Sequence, residues 1–369
     1  MTYDAARIEV LEGREAVRKR PGMYVGSTGE RGLHHLVFDV VDPAVADVLA
    51  GRASRVDVVL LPDGGVRVSD DGPGEEASLE DRLKRLHVGP DPVGRLSAPV
   101  SMFSGGLFVA NVLSRRFIAE VRRDGACRVQ EYERGVARGP FTATSRPVTG
   151  TGTTLASWPD LDVFETVECS YDRLAERFRE LAYLHRGLEI TLTDERPAAS
   201  APHQERFRSD NGLRDLVADL DARLDAPADI IGFAWADPRM EGTAEVALRW
   251  SGAHVERLVS FANSRLTQEG GTHVVGLHEG IAAAVDAYAR ERGLPAPAGD
   301  RLGEGLTAVV AVALDHPEYE GCTRTRLANP AVRAGVAEAV QEHLGARLKA
   351  DPDRADALIR RIATGSSGT

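Results

Sequence analysis

Cysteine is scarce in this 369-residue chain: Cys127, Cys169 and Cys322 are widely spaced and odd in number. Such an arrangement supports neither a disulfide framework nor a zinc site. Long hydrophobic runs are missing as well. No apolar stretch approaches the roughly 18 residues that a membrane-spanning helix needs, and no leader peptide is evident at the start. A cytoplasmic protein that does not associate with membranes is expected. Positive charge is also short, with 45 Lys and Arg against 56 Asp and Glu and a net charge of −11. An acidic surface repels phosphate backbones, so DNA binding by this chain alone is not expected. Hydrophobic residues make up 43% of the chain, enough to bury two ordinary cores.

The most informative stretch is LHHLVFD, Leu33 to Asp39, followed by Pro43. Apolar residues at Leu33, Leu36, Val37, Val40, Val41, Ala44, Val48 and Leu49 repeat at helical spacing, and Gly51 is placed to end the helix. Pro43 then falls mid-helix. It has no N–H for the carbonyl of Asp39 and its ring crowds that carbonyl, a cost of roughly 3 kcal/mol. His35 and Asp39 stand four apart on one helical face, so the imidazole can orient the carboxylate. They are the candidate acid/base pair, although such a pair is more often a solvated surface feature.

Around this helix lie AVRKRPGMYVG (residues 16–26), a hairpin from Arg55 to Ser69 that opens into DDGPG (70–74), Thr151-Gly152-Thr153 before Trp158-Pro159, GGTH (270–273) and GEGLTAVVAVA (303–313). In this order the motifs resemble the N-terminal ATPase and transducer region of the gyrase B family, a branch of the GHKL ATPase superfamily. The resemblance covers nearly the whole chain. It implies an α+β architecture: a GHKL (Bergerat-type) α/β sandwich over residues 1–208, then a ribosomal-S5-like transducer domain over 209–369. The boundary is expected near 205–212.

Set beside that family, four parts of the phosphoryl-transfer machinery are altered. Asp39 stands in place of the glutamate base, one methylene shorter, with His35 in place of its steadying histidine. Pro43 replaces the asparagine that holds Mg²⁺ and offers no ligand atom, so charge stabilisation and positioning are both lost. The glycine-rich lid is shortened by about five residues between Leu107 and Asn111, and Phe108 is expected to fill phosphate space, where the family approaches the triphosphate with glycine backbone. Arg324, in Cys322-Thr323-Arg324, replaces the lysine that contacts the γ-phosphate, and the two cations differ in geometry.

The adenine end is retained. The resemblance implies that Asp70 accepts a hydrogen bond from the base, that Gly72 and Gly74 let it lie close, that Thr153 sits beside Asp70, and that Arg123 stands at the pocket mouth. Pro73 and Glu76 depart from the family at the rim. Tyr3 and Ile8 keep the spacing of an arm exchanged between protomers. The chain ends before any cleavage domain of a whole gyrase, so it is not expected to cut DNA unaided. No cofactor or metal is expected, and ATP with Mg²⁺ is disfavoured. The expected role is a homodimer with a pocket reshaped for a small, largely non-nucleotide ligand, as a repurposed enzyme or in antibiotic self-resistance. The alternatives are a regulatory partner of true gyrase B and an ATPase with a remodelled lid.

Overall fold

Alternation builds the first sheet. In Val56–Leu60 and in Val66–Asp70 every second residue is buried, as expected of strands with one face on a core. They pair antiparallel, Val56 opposite Asp70 and Leu60 opposite Val66. A computed structural model describes this sheet and the rest of residues 13–86, 105–145, 148–197, 203–221, 230–251, 254–321 and 323–364. Two compact units emerge, the first running to Ala182 and resuming over Gly187–Arg208, the second containing Tyr183–Arg186 and Ser209 onward.

The first unit contains, in order, α1 (Gly13–Lys19), α2 (Gly22–Val25), α3 (Glu30–Leu49), β1 (Val56–Leu60), β2 (Val66–Asp70), α4 (Glu76–Lys84), α5 (Gly106–Val112), β3 (Ser114–Arg123), β4 (Ala126–Glu133), β5 (Val136–Ala137), β6 (Thr142–Ala143), β7 (Gly152–Pro159), α6 (Tyr171–Leu184), β8 (Ile190–Asp194) and β9 (His203–Phe207). Its sheet has the order β5-β4-β3-β7-β2-β1-β8-β9, with β6 on β4. The β1–β8 pairing is parallel and the other described pairings are antiparallel.

Helix α3 is buried without a break from Gly32 to Val41, and again at Ala44 and Val45. It runs through Pro43 uninterrupted. The penalty of roughly 3 kcal/mol for an interior proline is offset by Val40, Val41 and Val45, each wholly buried and each worth about 1.5–3 kcal/mol. Phe178 of α6 meets Phe38 edge-on at 6.4 Å between ring centroids. Helix α5 is buried from Leu107 through Val112, and Asn111 Nδ2 ties it to α4 by donating to the Leu83 carbonyl at 3.1 Å.

The second unit contains α7 (Leu213–Leu220), β10 (Ile231–Asp237), β11 (Gly242–Trp250), β12 (Arg257–Ala262), β13 (Arg265–Leu266), α8 (Thr272–Arg292), β14 (Leu306–Leu314), β15 (Tyr319–Glu320), β16 (Arg326–Leu327), α9 (Pro330–Ala350) and α10 (Pro352–Thr364). The main sheet has the order β10-β11-β14-β12-β13. Gly276 and Gly280 let α8 approach α9, since a Cβ at either would fall 2.4 Å from the Arg333 carbonyl or 2.6 Å from that of Ala337. Asn329 precedes α9 but does not cap it with its side chain; its Oδ1 accepts from Glu318 N at 2.7 Å and its Nδ2 donates to His316 O at 2.9 Å. Helix α9 gives way to α10 at Asp351 because Pro352 disfavours helical backbone in the residue before it.

Arg249 and Asp221 form an ion pair at 2.8 Å with side-chain exposures of 7% and 0%, and Thr307 Oγ1 donates to the same carboxylate at 2.7 Å. Removing one member leaves the other buried without its counter-charge. Arg249→Met is expected to lower unfolding free energy by about 3–5 kcal/mol in urea titration. Adding Asp221→Leu should restore most of the loss.

Candidate functional site

Three strands meet at Asp70, the last residue of β2. Its Oδ1 accepts N–H bonds from Gly72 at 2.8 Å and Thr153 at 3.2 Å. The side chain is buried, and burial is the main reason its pKa lies above the ordinary 3.8. The two N–H bonds and Arg122 pull it back down, while Asp47 pushes it further up. The backbone is too crowded here for side chains. A Cβ at Gly152 (φ +148°) would lie 2.2 Å from the Asp70 carbonyl, and one at Gly74 (φ +64°) would lie 2.6 Å from the Arg122 carbonyl; glycine alone relieves both the contact and the dihedral. A Cβ on Gly72 would approach Asp70 Oδ1 to 2.9 Å and Asp47 Oδ2 to 3.0 Å.

Beside this turn is a cavity of about 90 Å³ whose lining includes Pro43 and Asp47 of α3, Asp70, Pro73, Arg82 and Thr153. The structure therefore brings together Asp70, Thr153 and Pro43. Asp47 is engaged at the edge by Arg52 Nε at 3.1 Å. Arg123 does not line the cavity: its side chain is 55% exposed and lies 3.6 Å from Asp124. Phe108 is buried in the core on α5. His35 and Asp39 are buried on α3 and do not border the cavity. Gly105 runs so close to Asp39 that a Cβ there would be 2.9 Å from Oδ2. His34, the other histidine of the pair, is a core residue: Ser170 N donates to its Nε2 at 2.9 Å, and burial lowers its pKa and keeps it neutral. Arg324 lies in the second unit, between β15 and β16, with φ +54°. Tyr3, Ile8, Cys322 and the lid opening at Ser104 lie outside the described residues.

Arg122, which carries no motif signal of its own, braces the site. Its Nη2 donates to the Asp70 carbonyl and its Nη1 to Thr154 Oγ1, each at 3.0 Å. The available signal is Gly152, which stands opposite Arg122 in the β3–β7 ladder and leaves room for its side chain to cross.

Comparison with known proteins places this geometry. The family described as DNA gyrase B matches residues 212–366. Over 98% of its length the chain is 41% identical to a novobiocin-resistant DNA gyrase B protein of Streptomyces niveus, and it is 40% identical to the DNA gyrase B protein of Streptomyces coelicolor. The 43K ATPase domain of Thermus thermophilus gyrase B, solved with an aminocoumarin, superposes with a TM-score of 0.78 at 29% identity, covering 95% of this chain and 93% of that one. The chain belongs to the gyrase B family. Gyrase B of Myxococcus xanthus superposes with a TM-score of 0.80 at 26% identity, covering 94% of this chain and 99% of that one. The architecture is accordingly the GHKL-type ATPase fold followed by a transducer domain, as the motifs lead one to expect. The chain spans 57% of the length of the two Streptomyces gyrase B relatives.

In this gyrase B-type site, Asp70 carries a stability cost with a defined sign. A carboxyl whose folded pKa is raised makes stability fall as pH rises from its unfolded value through its folded value. Asp70→Asn keeps an oxygen to accept from Gly72 and Thr153 but removes the charge. It is expected to melt higher than the parent at pH 7, with the gap closing as pH is lowered toward 3.8. Scanning calorimetry across that range measures it; a parent that is the more stable form at pH 7 contradicts the assignment.

Proposed function

We propose that this gyrase B-type chain does not turn over ATP and that its former nucleotide pocket binds a small, largely non-nucleotide ligand at the adenine end. The observation that carries the reading is Pro43 in the wall of a pocket that still holds Asp70 and Thr153. A proline side chain supplies no oxygen to Mg²⁺. Helix α5 starts at Gly106 and is buried from its second residue on, so the described backbone provides no glycine-lined cradle for a triphosphate. Asp39 retains a carboxylate at the base position but packs against Gly105. Magnesium and triphosphate do not fit this arrangement. The polar end persists although burial opposes the charge of Asp70, which favours a ligand that donates a hydrogen bond to it.

The ligand served is a gyrase-directed inhibitor that is sequestered or the substrate of a repurposed site; His35 and Asp39, buried beside the cavity rather than in its wall, reach such a substrate only if the pocket opens toward them. Similarity to both a novobiocin-resistant gyrase B (41%) and a novobiocin-sensitive one (39%) from Streptomyces niveus leaves resistance to be measured. A second reading, a regulatory partner that dimerises with gyrase B, is favoured by pocket size. About 90 Å³ is well below the roughly 300 Å³ at which small-molecule sites begin. On the ligand reading, binding a drug-sized molecule requires the pocket to open.

Calorimetry with Mg²⁺ and a non-hydrolysable ATP analogue is expected to show no binding at or below a dissociation constant of about 10 μM, roughly −7 kcal/mol. Tighter binding returns the chain to the nucleotide-binding class. Restoring Asp39→Glu, Pro43→Asn and Arg324→Lys together should leave turnover far below about 1 per second, because parts of one catalytic unit are strongly non-additive. A novobiocin thermal-shift series on the parent and Asp70→Ala separates the two readings: an Asp70-dependent shift supports the ligand pocket. Its absence, together with co-sedimentation with gyrase B, supports the partner.

A further inference from the structure

The second unit holds a larger cavity, about 360 Å³, between the β10–β11 edge of its sheet and helices α9 and α10. That volume lies within the range of small-molecule sites, about 300–1,000 Å³. Trp250 and Leu358 give it apolar walls, and four arginines, Arg249, Arg347, Arg354 and Arg361, border it with Asp351. Arg249 is itself paired with Asp221, and the lining holds four guanidiniums to one carboxylate. In a chain of net charge −11, this is a local reversal of sign.

The floor is prebuilt. Arg249 is 6% exposed, and Asp221, itself held by Thr307, fixes its guanidinium. The Trp250 indole is locked by its Nε1 donation to the Leu302 carbonyl at 3.0 Å. Groups already immobilised by their own hydrogen bonds lose little entropy when a ligand arrives. Arginine forks match planar or tetrahedral oxyanions in two-point hydrogen bonds, while an indole face suits an aromatic body.

We infer that this cavity is a binding site for a small amphipathic organic anion: an aromatic or branched apolar body that packs on Trp250 and Leu358 and carries one carboxylate, sulfonate or phosphate group toward Arg347, Arg354 and Arg361. The site is separate from the pocket at Asp70 and does not depend on how that pocket is used.

The test uses the whole chain and 8-anilinonaphthalene-1-sulfonate, an aryl sulfonate of this class, followed by fluorescence. The uncharged N-phenyl-1-naphthylamine and inorganic phosphate serve as controls. One equivalent of the sulfonate should bind, and Arg354→Ala with Arg361→Ala should weaken it at least tenfold without moving the melting temperature, since both side chains are exposed. Arg354→Lys with Arg361→Lys should recover most of the affinity by restoring charge. Equal binding of the uncharged analogue, unchanged affinity in the double alanine variant, or no stoichiometric binding each overturns the proposal. Displacement by phosphate alone at concentrations equal to the sulfonate also overturns it, because it reduces the site to a bare anion patch.

Discussion

The burial of helix α3 is the constraint on which the first unit depends. A 20-residue helix that is buried continuously from Gly32 to Val41 must be enclosed by its neighbours, and its contacts with β1, β2, β7 and α5 enclose it. That enclosure makes an interior proline tolerable, because the wholly buried valines next to Pro43 outweigh one lost hydrogen bond and one ring clash. It also explains why change at this helix reaches the pocket. Val40, Pro43, Ala44 and Asp47 stand on the turns that wall the cavity beside Asp70, so a substitution made on α3 is felt in the pocket it shares with β2 and β7.

Backbone crowding holds the polar end of the pocket in place. The Asp70 turn is maintained by backbone: N–H groups from Gly72 and Thr153, carbonyls that forbid side chains at Gly74 and Gly152, and Arg122 bridging from β3. Such an arrangement resists piecemeal change, since any Cβ added at Gly152 collides with a main-chain oxygen.

The strands and long helices are legible in the sequence because their periodicities are strong. The hairpin of β1 and β2 and helix α3 lie where alternation and helical spacing place them. The break at Asp351 has its signal in Pro352, but the helical spacing on either side of it is the stronger pattern and masks it. The bonds of Asn329 to His316 and Glu318 are not readable, because an asparagine before a helix can cap it or bind a neighbouring loop, and the choice depends on which loop the tertiary structure brings near. The same holds for the histidine pair. Nothing in the dipeptide reveals that His34 is used by the Ser170 amide.

By itself, the sequence determined family, fold class and the order of elements, because motif glycines and periodic apolar residues are properties of residues in order. Only the tertiary structure decided which of the named residues share a space. Asp70, Thr153 and Pro43 border one cavity; Arg123 is exposed and outside its lining, Phe108 sinks into the core, and Arg122 does the bracing. Those outcomes turn on the pleat of β3, where neighbouring side chains face opposite sides of the sheet, and on the packing of α5, which side-chain volume settles only once the other layers are in place.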